Sequence, residues 1–126
     1  MRYGPCDAVR VREAGRLSEG RRVSDACRSL TKDFPRGYFF LADQLNRAAL
    51  SIAANIAEGN GRFTKPDRKN FFGIARGSAQ ECVPLLDVAA RQGLIKGNRH
   101  DQFKADLEEI ARMLSGLIKG LEKREV

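Results

Sequence analysis

The chain has 126 residues, 42% of them hydrophobic and 31% charged, with a net charge of +7. This is the length of one domain with a modest core, and no apolar run approaches the ~20 residues that cross a bilayer. Cys6, Cys27 and Cys82 are too few and too scattered for a disulfide framework or a zinc site, and a single histidine, His100, excludes a histidine-based metal cluster within one chain.

The opening MRYGPCDAVRVREAG has charge but no hydrophobic block, so a secretory signal is not expected and a cytoplasmic protein without membrane association is. The charge is uneven. Residues 1–36 carry nine basic and five acidic side chains, and residues 64–100 carry seven and three. Residues 37–63 balance, and 101–126 are slightly acidic. A basic balance favours a polyanionic partner or simple solubility.

In chain order, residues 1–20 form a first division, a weakly ordered extension or the start of the first helix. Gly4, Pro5, Gly15 and Gly20 interrupt it. Residues 21–126 form the folded domain. Its first helix carries Val23, Ala26, Cys27, Leu30 and Phe34 on one face and ends at Phe34-Pro35, because the residue before proline leaves the α region. The second helix starts between Tyr38 and Asp43 and runs to Glu58. Leu41, Leu45, Ala48, Ile52 and Ile56 form its apolar face, beside a polar stripe of Gln44, Arg47, Ser51, Asn55 and Glu58. Gly59-Asn60-Gly61 is read as its stop, with glycine in the left-handed conformation.

Thr64 caps the third helix, with Pro66 in the first turn and Asp67 completing a capping box. Phe71, Phe72, Ala75, Ala79, Cys82, Leu86 and Ala89 mark its buried face, Pro84 predicts a kink near Gln80 to Pro84, and Gly93 ends it. Asn98, with Asp101 three residues on, is read as the cap of the fourth helix. Its seam is Phe103, Leu107, Ile110, Leu114, Leu117 and Leu121. No segment alternates with period two for long enough to be a strand. The fold class is therefore all-α, an antiparallel up-down-up-down four-helix bundle.

The blocks Phe34-Pro35, Gln44-x-x-Arg47-Ala48-Ala49-x-Ser51-Ile52, Asn55-Ile56-Ala57-Glu58-Gly59, Arg62 and Ala75-Arg76-Gly77-Ser78-x-x-Glu81 resemble the four-helix-bundle proteins encoded in intervening sequences of bacterial 23S ribosomal RNA genes. The resemblance runs from about Val23 to Leu121. Ala53 stands where that family often has proline, so a straighter second helix is expected, and residues 1–20 match poorly. The resemblance implies a left-handed bundle that assembles as a ring, a homopentamer, in a family with no established enzymatic activity. The chain is similar also to the accessory protein of diversity-generating retroelements, which works beside a reverse transcriptase and nucleic acid.

Two constellations carry the functional expectation. Arg47, Asn55, Glu58, Arg76, Ser78 and Glu81 are expected to form a polar network between the second and third helices. The preferred reading is structural, a device that fixes register or seals a subunit interface. The competing reading makes Glu58 and Glu81 an acid/base pair, but it lacks a nucleophile, a metal set and a cleft. Arg62, Lys65, Arg68 and Lys69 are candidate nucleic-acid-binding residues, weighed against a merely solvated face. Phe63 beside them reads as a hydrophobic staple or as a surface for base stacking. The Gly59-Asn60-Gly61 turn lacks the Lys-Ser/Thr ending and preceding strand of a phosphate loop. A non-catalytic oligomer is expected, with RNA or DNA, or a nucleic-acid enzyme, as partner and with neither cofactor, metal nor small-molecule substrate. The alternative is a protein-interaction scaffold without nucleic-acid binding.

Overall fold

Helical spacing in the sequence becomes four helices in space. A computed structural model describes residues 19–123. Within them α1 is helical over 19–31, α2 spans Phe39–Gly61, α3 spans Lys65–Arg91 and α4 spans Gly97–Lys123. A single 3-10 turn, Arg36–Tyr38, leads into α2. No strand occurs among the described residues. The expectations for residues 1–18, and with them Cys6, lie outside the described residues.

Neighbouring helices run antiparallel, as cross-helix hydrogen bonds and close approaches show. Asn46 of α2 donates to Thr31 Oγ1 at the end of α1 (2.8 Å), while Gly20 near the described start of α1 lies against Ala53 and Ile56 further along α2. Ser51 of α2 meets Ser78 of α3 (2.8 Å), and Tyr38 before α2 donates to Gln92 after α3 (3.2 Å). Asp87 late in α3 meets His100 early in α4 (2.7 Å), and Arg76 earlier in α3 reaches Ser115 later in α4 (3.3 Å). Grooves lined by Val23, Ala26 and Leu30 on one side and Phe103, Asp106 and Ile110 on the other place α1 beside α4 and close the four-helix bundle.

The core draws on every helix. Cys27 of α1, Leu45, Ile52 and Ile56 of α2, Phe72, Cys82 and Leu86 of α3, and Leu107 and Leu114 of α4 are all essentially inaccessible to solvent. At about 1.5–3 kcal/mol for a fully buried large side chain, this cluster is what opposes chain entropy. On α4 the buried line is Phe103, Leu107, Ile110, Leu114, Ile118 and Leu121. Ile118 therefore takes the place the sequence reading gave to Leu117, which packs half-buried at the edge. On a 3.6-residue helix Leu117 and Ile118 lie about equally far, roughly 50°, to either side of the stripe's axis, so it is the packing of α4 against its neighbours that selects Ile118.

Of two glycines expected to end helices, Gly59 departs from that reading and Gly93 follows it. Gly59 does not stop α2: the helix continues to Gly61, and Arg62 leaves it with extended backbone (φ −84°, ψ 150°). Gly59 is instead a close-approach point. A Cβ there would lie 2.5 Å from Cε1 and 2.7 Å from Cδ1 of Phe72. The left-handed terminator is Gly93, at φ 74°, just past α3. Pro84 lies inside α3, which stays helical through it to Arg91. Asn98 falls inside the first turn of α4, because that helix already begins at Gly97; its Oδ1 accepts from the Arg99 amide (3.0 Å).

Candidate nucleic-acid interface

The corner between α2 and α3 is built from three residues, Arg62 to Thr64. Thr64 is the N-cap of α3, and its Oγ1 accepts from the Asp67 amide (3.3 Å). Pro66 has no amide hydrogen to offer, and the cap occupies the Asp67 amide. The capacity to hold an anion at this helix start therefore rests on side chains more than on the backbone.

The four cations of the cluster come together at this corner in different settings. The Arg62 guanidinium lies 4.6 Å from the centroid of the Phe71 ring and donates to Glu58 at 3.0 Å. Lys65 is the first helical residue and is half-buried. Arg68 is half-buried, with its guanidinium 5.8 Å from the centre of Phe72. Lys69 lies 3.9 Å from Glu122 near the end of α4. A solvated face would leave Arg68 and Lys69 exposed; both are half-buried instead, Arg68 with its Nε shielded from solvent and its guanidinium near the buried Phe72 ring, and Lys69 beside Glu122. Glu58 stands beside Arg62 and Glu122 beside Lys69. The Arg62–Glu58 pair is solvent-exposed, and such pairs are worth about 0–1 kcal/mol, so an incoming phosphate can displace the carboxylate at little cost.

Phe63 projects from this corner with 101% relative exposure. The staple reading fails for a reason visible in the register. A staple pairs the residue before the cap with the fourth helical residue. Here that residue is Arg68, which is turned toward Phe72. Phe63 has no apolar partner to close upon.

The polar network divides into separate pieces. Asn55 donates to the Ser51 carbonyl (2.8 Å) and to Ser51 Oγ (3.1 Å), and Ser51 joins Ser78, so Asn55 and Ser78 belong to one chain of bonds. Arg76 is turned to Ser115 of α4, away from Glu58 and Glu81. Glu58 is taken by Arg62, and Arg47 lies near Asp43 one turn earlier (3.7 Å). Glu81 is exposed on α3. Glu58 lies seven residues beyond Ser51 and Glu81 three beyond Ser78 in the opposite direction. At 1.5 Å rise per residue the two carboxylates are about 15 Å apart along the bundle. That exceeds the ~5–9.5 Å over which paired carboxylates share a bond to be broken.

Two features escaped the sequence reading. Ser115 gave no signal as Arg76's acceptor, since only tertiary packing brings α3 and α4 together. His100 served only to exclude a metal cluster. In the structure its Nε2 meets Asp87 Oδ1 at 2.7 Å and its Nδ1 lies 3.4 Å from Asp101 Oδ1, tying the end of α3 to the start of α4. The His100 hydrogen bond holds the Asp87 carboxyl below its ordinary range, assisted by Lys104 and Arg91. Burial pushes the thiol of Cys27 up to about 11. Burial, with smaller effects from Cys27 and Glu81, takes Cys82 to about 12. Neither thiol is an activated nucleophile. Among the described residues no three His, Cys, Asp or Glu side chains gather in a way that could hold a metal ion. No helix among them is long and apolar enough to cross a membrane.

Fold and surface together define a small up-and-down four-helix-bundle protein whose most distinctive corner is basic and aromatic. The chain belongs to the 23S rRNA-intervening sequence protein family, whose model matches residues 17–116. Its fold is similar to that of a Bacteroides thetaiotaomicron protein with unknown function from the S23 ribosomal protein family. The TM-score is 0.73 and the identity 25%, over 87% of this chain and 96% of that one. None of the curated proteins compared with the chain matches it.

Proposed function

We propose that this protein is a non-catalytic, oligomeric accessory that binds the phosphate backbone of RNA or DNA through the α2–α3 corner. The observation that carries the reading is the gathering of Arg62, Lys65, Arg68 and Lys69 around a single turn. No groove-reading motif accompanies the cluster, so contact is with phosphates and sequence preference is slight.

Oligomerisation is supported by a second surface. Leu50 lies one residue before Ser51, and Ile74 four before Ser78. In an antiparallel pair both positions turn to the outer side of the α2–α3 seam, and Val88 follows Ile74 two heptads on. All three are exposed, as are Phe39 and Phe40 at the start of α2. This number of large exposed apolar side chains on two adjacent helices supports an interface between copies. Head-to-tail repetition closes into a ring, which we take to be a homopentamer, and a ring presents the basic corner once per subunit.

The test is a set of binding isotherms at several salt concentrations for the parent and for Arg62→Gln/Lys65→Gln. The parent's affinity should fall with salt at a log–log slope of about −0.7 per phosphate neutralised on a single strand. The double variant should flatten the slope and keep its helix content. Absence of binding by the parent at low salt would sink the proposal and leave the protein-interaction scaffold, which the exposed apolar side chains of α2 and α3 favour independently.

A further inference from the structure

An aromatic side chain with no apolar neighbour forgoes the stabilisation of burial, and Phe63 forgoes all of it. Its setting is fixed on both sides. Arg62 and Thr64 flank it in extended conformation (ψ 150° and 147°), and each leads directly into a long helix. Arg62 is held by Glu58 and by the Phe71 ring, and Thr64 by its cap bond to Asp67. The ring thus stands on a short corner between two long helices, with Arg62 on the α2 side and Lys65 on the α3 side. A flat apolar face between two cations, one residue and two residues away along the chain, matches the alternation of base and phosphate in a nucleic-acid strand.

From this juxtaposition we infer that Phe63 is a stacking platform for one unpaired base of a single-stranded nucleic acid. Arg62 and Lys65 contact the phosphates on either side of that base. The inference rests on the proposed phosphate binding at this corner and deepens it by selecting the strand type. A base within a duplex is already stacked on its neighbours and must be flipped out to reach a protein ring, so duplexes bind here by charge alone. An unpaired base offers its π-face freely, and any base will serve because stacking carries no hydrogen-bond code. RNA and DNA single strands share this chemistry.

The chain has no tryptophan, so Phe63→Trp introduces a single indole at the proposed platform. Oligo(dT), oligo(U) and a hairpin duplex of matched length are titrated against this variant. Labelled-oligonucleotide anisotropy reports binding, and indole fluorescence reports stacking. The expected result is quenching that saturates with binding for both single strands and none for the duplex. Quenching by oligo(U) alone would restrict the platform to RNA. Phe63→Ala should lose about tenfold in affinity for single strands at an unchanged salt slope, because a stacked base and not a charge is removed. Binding by Phe63→Trp without quenching, or Phe63→Ala that binds as the parent does, overturns the platform and leaves phosphate binding standing. Failure of the parent to bind any of the three at low salt removes both. Light scattering on Phe63→Ala completes the test: a change in assembly size would make Phe63 a contact between copies and overturn the inference.

Discussion

Gly59→Ala sets two effects of known size against each other. Gly59 lies within α2 with an ordinary helical backbone, so alanine gains about 1 kcal/mol of helix propensity. The new Cβ would stand 2.5 Å from Phe72 Cε1, inside any permitted carbon–carbon contact. Phe72 cannot swing aside, because it is fully buried and packed into the core. Overpacking a well-filled core costs about 1–3 kcal/mol, so the net expectation is destabilisation of about 1 kcal/mol, or roughly 4 °C in Tm for a domain of this size. The control is Gly116→Ala on the exposed side of α4, where an added Cβ meets nothing within 4 Å and the propensity gain stands alone. Thermal and urea melts followed by helical circular dichroism should order the proteins Gly116→Ala, parent, Gly59→Ala. Phe72→Leu in the Gly59→Ala background should recover part of the loss by making room. If Gly59→Ala melts at or above Gly116→Ala, the account of Gly59 as a close-approach point is wrong.

Arg76→Ala removes a 3.3 Å bond from a half-buried guanidinium to Ser115, so it should cost about 1 kcal/mol in urea unfolding and leave assembly size unchanged. A cost of 3 kcal/mol or more would mean that Arg76 compensates a buried charge. The folded carboxyl of Asp87 is held below its unfolded value, so its stabilisation is present above about pH 4 and is lost as pH falls through the folded value. The Tm difference between parent and Asp87→Asn should accordingly shrink as the pH is lowered from 6 to 2.5; a constant difference would remove the carboxylate from the account. Leu50→Glu places a charge on the outer face of α2, and light scattering should show a smaller assembly with its helix content intact. Retention of the parent's size would move the interface elsewhere.

The bundle was legible because burial repeats with the helix. Leu45, Ile52 and Ile56 on α2 and Phe72, Cys82 and Leu86 on α3 declare their faces through spacing alone, and Thr64-Lys65-Pro66-Asp67 declares a helix start through local hydrogen bonding. What periodicity cannot give is the partner across a gap. Arg76 had two glutamates at plausible spacing and went to Ser115, because the acceptor's height depends on how α4 is set against α3. Gly59 misled for a different reason. A missing Cβ serves equally to permit a left-handed residue or to admit a neighbouring ring, and Phe72 is thirteen residues away along the chain. Phe63 could have been read correctly: counting four residues into α3 reaches Arg68, and a staple needs an apolar side chain there.

The two shielded thiols make the bundle a reporter of its own opening. Cys27 sits on α1 and Cys82 on α3, both at 0% exposure, and both are far from ionised at neutral pH. A thiol reagent can capture either one only after the surrounding helices part, because the act requires solvent as well as a lost proton. In a Cys6→Ser background, the labelling rate of each cysteine reads the free energy of the excursion that uncovers it. Equal rates would describe four helices that separate together. Faster capture at Cys27 would describe α1 lifting from the rest, and would identify the α1–α4 seam as the edge at which the bundle comes undone.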